Sequence, residues 1–270
     1  MRGKSAPKKA LVMVHLGKRI FVLSIAALMS VPATASEIRH RTEYKVALGI
    51  LPIARAAFVT QIEDDHSYQV SGDISSAGLA DLVTKIAAKT TVTGVIRDDR
   101  LQAQRYYLYY KSGKRARTYE VRYRNGNIVS TTVRPERRPP KNWIDVKPGD
   151  MRSVLDPISG LIFPGDAKLC SQRLPIYDGE MRMDLVLSPK RSEDFTTNGF
   201  SGKATVCGVR FVPRSGYRKG RKDIDYLSRS GAMEIWFAKA QAANVYAPVY
   251  VRIPTQYGMV TITAVKYGVS

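Results

Sequence analysis

The sequence predicts an all-β chain: a curved antiparallel sheet with one or two helices laid across it. Three observations predict this. Apolar and polar residues alternate with period two in segment after segment, hairpin dipeptides separate some of them, and only two stretches break the alternation with helical spacing.

The N-terminus comes first. Arg2, Lys4, Lys8, Lys9, Lys18 and Arg19 precede an apolar run from Ile20 to Val31 and the small residues Ala33-Thr34-Ala35. Basic, apolar and small-residue regions in that order read as a secretory signal peptide over residues 1–35, with an exported β domain over 36–270. The run is shorter than the roughly 20 residues a membrane-spanning helix needs. The expected location is the periplasm, reached through a cleavable leader.

The strands follow: "TEYKVAL", "RAAFVTQIED", "SYQVSGDIS", "TVTGVIRD", "QAQRYYLYYK", "RTYEVRYRNG" and "NIVSTTVRP", joined by short polar turns as an antiparallel meander. Asn125-Gly126 suits the positive φ angles of a tight hairpin. In "SAGLADLVTKIAAK", Leu79, Val83, Ile86 and Ala87 recur at helical spacing, so a helix covering the sheet is expected there. Residues 134–150, rich in proline and charge, read as a connection between two halves. A second short helix is expected in "GDMRSVLDPISGLIF", capped by Asp150 and ended or kinked by Pro157.

Strands then resume through "SQRLPIY", "MRMDLVLS", "SGKATVCGVRFVP", "GAMEIWFAK", "YAPVYVRIPTQ" and "MVTITAVKYG", with Asp178-Gly179 as a hairpin turn. Met181, Met183, Leu185 and Leu187 alternate with Arg182, Asp184, Val186 and Ser188, predicting a core face and a mostly polar face.

Export gives the two cysteines, Cys170 and Cys207, their meaning. An oxidising compartment favours a disulfide between them, worth about 2–4 kcal/mol by loop closure. The rival reading is a reduced or redox-active pair, against which stands the lack of a C-x-x-C spacing. His40 and His66 are too few and too distant to complete a zinc site, and both are expected at the surface. No metal or cofactor is expected.

Charge bounds the partners. The chain carries a formal +20, and +20 less the leader's six basic residues is +14. For an exported protein the polyanions within reach are lipid headgroups and acidic glycans, so peripheral contact with an anionic membrane is expected and nucleic acid is not.

No nucleophile elbow, zinc-protease motif, phosphate loop or calcium loop is present, so no catalytic residues are assigned and the chain is read as a non-enzyme. A hydrolase would need carboxylates converging in a cleft, and Asp156, Asp178, Asp184 and Glu234 are the candidates. The spacing of Asp178, Glu180 and Asp184 fits turn formation and ion pairing with Arg173 or Arg182 instead. Aromatic residues on a concave sheet can enclose an acyl chain while arginines meet its head group. The ligand-binding candidates are Tyr177, Asp178, Asp184, Tyr217, Arg218 and Trp236.

The succession "YKVALGILPIARAAFVTQIEDDHSYQVSGDISSAGLADLV", "GVIRDDRLQAQRYYLYY", "DPISGLIF", "YDGEMRMDLVL", "VCGVRFVPRSGY" and "MEIWFA…APVYVRIPTQYGMVTI" resembles domain-of-unknown-function family 3108, exported proteins of proteobacteria. The resemblance spans nearly all of the chain beyond the leader. It implies kinship with the periplasmic lipoprotein carriers (LolA/LolB-like), an incomplete β-barrel wrapped around helices with an apolar cavity. The function expected from charge, leader and resemblance together is binding of a lipid, lipoprotein or other envelope component in support of envelope integrity. A surface scaffold for envelope proteins or peptidoglycan is the alternative.

Overall fold

The computed structural model describes residues 38–63, 66–78, 81, 84–97, 100–165 and 167–269. The leader predicted over 1–35 lies outside them. The first seven strands run as a meander: β1 (Ile38–Leu48), β2 (Leu51–Ile62), β3 (Ser67–Ser76), β4 (Ile86–Arg97), β5 (Arg100–Ser112), β6 (Arg115–Arg124) and β7 (Asn127–Arg134). After the connection come β8 (Trp143–Ile144), β9 (Phe163–Pro164), β10 (Arg173–Tyr177), β11 (Arg182–Thr197), β12 (Phe200–Ser215) and β13 (Tyr217–Arg218). Helix α1 (Lys222–Arg229), β14 (Met233–Ala240), β15 (Val245–Thr255) and β16 (Gly258–Val269) complete the chain.

Fourteen strands form one antiparallel sheet in the order β10-β11-β12-β14-β15-β16-β1-β2-β3-β4-β5-β6-β7, with β9 paired to β15 off this path. The chain's last strand closes on its first: β16 pairs with β1 from Val269 opposite His40 to Val260 opposite Leu48. Register shifts at Val46/Ala47, Thr93/Gly94, Arg122/Tyr123 and Trp236/Phe237 bend the sheet, because a bulge adds a residue to one strand and increases its twist.

The bending is enough to bring strands far apart in the order into one core. Tyr44, Val70, Val92, Val121, Tyr177 and Ala238, from six different strands, are buried in a single cluster. The two ends of the sheet, β7 and β10, are not hydrogen-bonded to each other. The segment Ser153–Leu155 fills the gap. The Val154 N–H donates to Gly126 O on the β6–β7 turn at 2.8 Å, and Leu155 exchanges backbone bonds with Pro175 and Tyr177 of β10 at 2.8 and 2.9 Å. The result is the incomplete barrel that the strand pattern and resemblance imply.

Both predicted hairpins form. Asn125 and Gly126 have φ of 51° and 72°, the left-handed pair such a turn needs. Gly179, at φ 100°, also lies so close to β6 that a Cβ would approach Tyr119 Cδ1 to 3.1 Å.

The helices follow expectation only in part: Asp81, inside the first predicted helix, is helical. Ile86 and Ala87 open β4 rather than continuing a helix, while Leu79 and Val83 lie outside the described residues. The second expected helix is replaced by two short 3-10 turns, Pro148–Met151 and Ser159–Leu161. Asp150 does accept an N–H, that of Lys147, at 3.1 Å. The extended backbone at Arg152 and the bridge of Leu155 to Ile176 commit the intervening residues to the barrel gap, which no helix spanning them allows. An α-helix not predicted from the sequence forms at Lys222–Arg229, packing Ile224 and Leu227 on a second core of Leu174, Leu187, Phe211, Ile235 and Phe237.

Cys170 and Cys207 are joined, with Cα atoms 5.5 Å apart. Cys207 lies on β12 opposite Pro189 of β11, and Ser171 and Gln172 extend the pairing with Leu187. The bridge therefore spans β11 and ties the edge hairpin β10–β11 to the strand beyond it.

Candidate functional site

An apolar cavity of about 280 Å³ lies against one face of β1, β2, β3, β15 and β16. Strand alternation creates its wall: Tyr44, Val46, Phe58, Val70 and Ile74 sit at every second position and project to the same side, together with Ile262. The opposite wall is Pro157, Ile158, Leu161 and Ile162, the short segment carrying the second 3-10 turn.

A buried polar network holds that segment in place. Asp156 accepts the backbone N–H groups of Ile158 and Ser159, each at 2.8 Å, and the Ser159 hydroxyl also donates to it. Tyr68 of β3 meets the Ser159 hydroxyl at 2.8 Å. Burial raises the Asp156 carboxyl above its ordinary range, and the bonds from Ser159 and Ile158 oppose that rise. Burial also raises the Tyr68 phenol. All three side chains are buried and partnered, so the network positions the wall rather than offering a reactive group to solvent.

The carboxylates named for a hydrolase are each engaged by partners of their own, although Asp156 and Asp178 both bear on the buried phenols of Tyr106 and Tyr123. Asp178 accepts the N–H groups of Glu180 and Met181 at 2.9 and 2.7 Å and so shapes its own hairpin. Asp184 is buried among Arg182, Arg173 and Arg214 at 2.6, 2.8 and 3.7 Å. Its burial opposes ionisation, but the Arg182 and Arg173 guanidinium groups hold the carboxyl below its usual range. Met181, Met183, Leu185 and Leu187 pack in the second core as expected; on the opposite face Ser188 is exposed, but Arg182 and Asp184 are buried as a mutually neutralising pair. Glu234 receives Lys190 at 2.8 Å and Arg191 at 3.2 Å. Against the effect of burial, hydrogen bonds from Arg191, Lys190 and Trp236 bring it down to about 2. Among the described residues no three His, Cys, Asp or Glu side chains cluster as a metal site requires.

The other ligand-binding candidates also scatter. Tyr177 is buried in the main core, its carbonyl 3.4 Å from the Tyr123 hydroxyl. Trp236 packs on Tyr250 with ring centroids 4.9 Å apart, under the Arg191 guanidinium. Tyr217 and Arg218 form β13, paired with Ile144 and Trp143 of β8. None of the six candidates lines the cavity, because its lining is aliphatic and aromatic residues of the meander that look like ordinary core. Gly72 was the available signal: a Cβ there would lie 2.4 Å from the Phe58 ring, leaving space for that ring on the cavity face.

His40, expected at the surface, is buried. Its Nε2 lies 3.2 Å from the Thr42 hydroxyl and its ring meets Tyr267 edge-on at 4.3 Å. Burial depresses it to about 4.

The family model described as a protein of unknown function, DUF3108, matches residues 43–265. The chain belongs to the DUF3108 family. The matched span takes in the disulfide, the meander from Glu43 onward and all of the cavity lining except Thr42. No curated protein matches this DUF3108 chain. Its fold is similar to a solved structure, the beta-barrel-like protein of domain of unknown function DUF1849 from Brucella abortus. The TM-score is 0.50 over 86% of this chain and 98% of that one, at 8% identity. At that identity the likeness speaks for fold alone. No helix among the described residues is long and apolar enough to cross a membrane.

Proposed function

We propose that this DUF3108 protein is a non-catalytic periplasmic binder of an amphiphile, a lipid or the acyl group of an envelope protein, and that it supports envelope integrity by holding that group. The observation that carries the reading is the apolar cavity between the concave sheet and the Pro157–Ile162 segment. Its volume, just under the roughly 300–1,000 Å³ of small-molecule sites, has room for a short acyl chain or the end of a longer one. Support comes also from the polar groups nearby, which are spent on each other rather than aimed at a substrate. The leader-like N-terminus, the disulfide and the resemblance to lipoprotein carriers of the periplasm agree with it.

The test is titration of delipidated protein with a fluorescent fatty acid. Saturable binding by the native chain, lost in Ile262→Phe while the melting temperature holds, is the expected result. Absence of binding, or equal binding by the filled variant, would overturn it.

A second reading, a scaffold for an anionic envelope partner, draws on a different feature. A trough beside the edge strand β7 is lined by Arg117, Arg134, Arg137 and Arg138, with Glu136 and Glu180 beside them, Glu180 pairing with Arg117 at 3.2 Å. Arg117 Nε there is buried without a hydrogen-bond partner. Charge reversal at Arg134 and Arg137 that abolishes capture by purified peptidoglycan, with acyl binding absent, would favour it.

A further inference from the structure

Two hairpin tips stand side by side at one end of the sheet. The β1–β2 turn carries Gly49 and Ile50, and the β15–β16 turn carries Gln256 and Tyr257. They are locked together where the Gly49 N–H donates to Met259 O at 2.8 Å, in line with Leu48 opposite Val260.

Ile50 is 96% exposed and Tyr257 80%, the two most exposed large hydrophobic side chains among the described residues. Leu51 beside them is 48% exposed. Folding does not call for them. A two-residue turn favours Gly, Asn or Asp, and an isoleucine there gains no core contact in return.

The flank is basic. Tyr257 shares a groove with Trp143, Arg218, Arg221 and Lys222. Asp223 lies in the same groove and is engaged by Arg221, so Arg218 and Lys222 supply its uncompensated positive charge.

We infer that these paired tips dock on an anionic bilayer, with Ile50, Leu51 and Tyr257 entering the interface and Arg218 and Lys222 meeting lipid headgroups. Apolar tips beside basic side chains match the layered chemistry of that surface, where tyrosine also partitions. The same end of the sheet holds the cavity row Val46, Ile262 and Val251, paired across β1, β16 and β15. Docking there would bring the cavity close to the membrane, yet the inference stands on the tips alone.

Co-sedimentation with vesicles tests it, comparing phosphatidylglycerol-containing with pure phosphatidylcholine membranes. The intact protein is expected to pellet with the anionic vesicles only. Ile50→Ser with Tyr257→Ser, and separately Arg218→Glu with Lys222→Glu, are expected to weaken that binding about tenfold or more, with unchanged melting temperatures. Failure of the native chain to pellet, equal pelleting with both lipids, or tip variants that bind like the native chain would each overturn the inference. The readout needs no occupant in the cavity, so its failure leaves the acyl-binding reading standing.

Discussion

The Tyr68 hydroxyl lies 2.8 Å from that of Ser159, and this contact hangs the cavity's outer wall on β3. Ser159 in turn donates to Asp156, so one chain of hydrogen bonds joins the sheet to the Pro157–Ile162 segment.

Removing the first member of that chain leaves a buried hydroxyl short of one partner. Tyr68→Phe is expected to cost about 1 kcal/mol in urea unfolding. It should also weaken acyl-probe binding, because the wall loses its anchor. Unchanged stability and unchanged probe affinity would assign the contact no role.

Asp184 neutralises the buried Arg182. Asp184→Asn keeps the shape and removes the charge, so Arg182 is left uncompensated. The expected loss is about 3–5 kcal/mol, the range for breaking a buried pair from one side. Arg173 is more exposed and can be solvated, so Arg173→Met is expected to cost about 1 kcal/mol or less by the same measurement.

His40 gives the fold an acid limb. Burial holds it near 4, against an ordinary value of 6.5, so the unfolded chain binds the proton first. Its contribution is complete above pH 6.5 and is lost as pH falls toward 4, by up to about 3 kcal/mol. Asp156 and Asp178, both raised by burial, act in the opposite sense as pH rises, so the native chain alone does not isolate the histidine. The difference between native and His40→Asn stabilities, followed from pH 7 to 4, does. A pH-independent difference would contradict the assignment.

The disulfide closes a separation of 37 residues and crosses β11. Replacing both Cys170 and Cys207 by alanine is expected to cost about 2–4 kcal/mol, read as a lower urea midpoint. A matching loss should follow reduction of the native chain.

Most of the strands were legible because half-buried strands carry their burial as alternation, visible in Tyr44, Tyr68 and Val70. The hairpins at Asn125 and Asp178 were legible because their dihedral angles demand particular residues. The helices were legible only in part, Asp81 being helical as expected. Ile86 and Ala87 satisfy helical spacing and strand burial equally, and tertiary pairing with Ser112 and Lys111 decides between them. Helix α1 spans only eight residues, with Ile224 and Leu227 as its core contacts, too short a stripe to stand out from a basic stretch. The pairing of Asp184 with Arg173 and Arg182 was legible from their spacing, but its burial was not, because charge alone does not say whether a strand face is covered. The cavity was hidden for another reason: side chains that line an apolar space are the same ones that fill a core.

The acyl-binding reading is tested most directly by native mass spectrometry of protein purified from periplasm without detergent, followed by solvent extraction and lipid analysis. The expected result is a stoichiometric mass increment that disappears on extraction and is absent from Ile262→Phe. A clean apo mass in the native protein, with delipidated protein that also fails to take up a fatty acid, would contradict it.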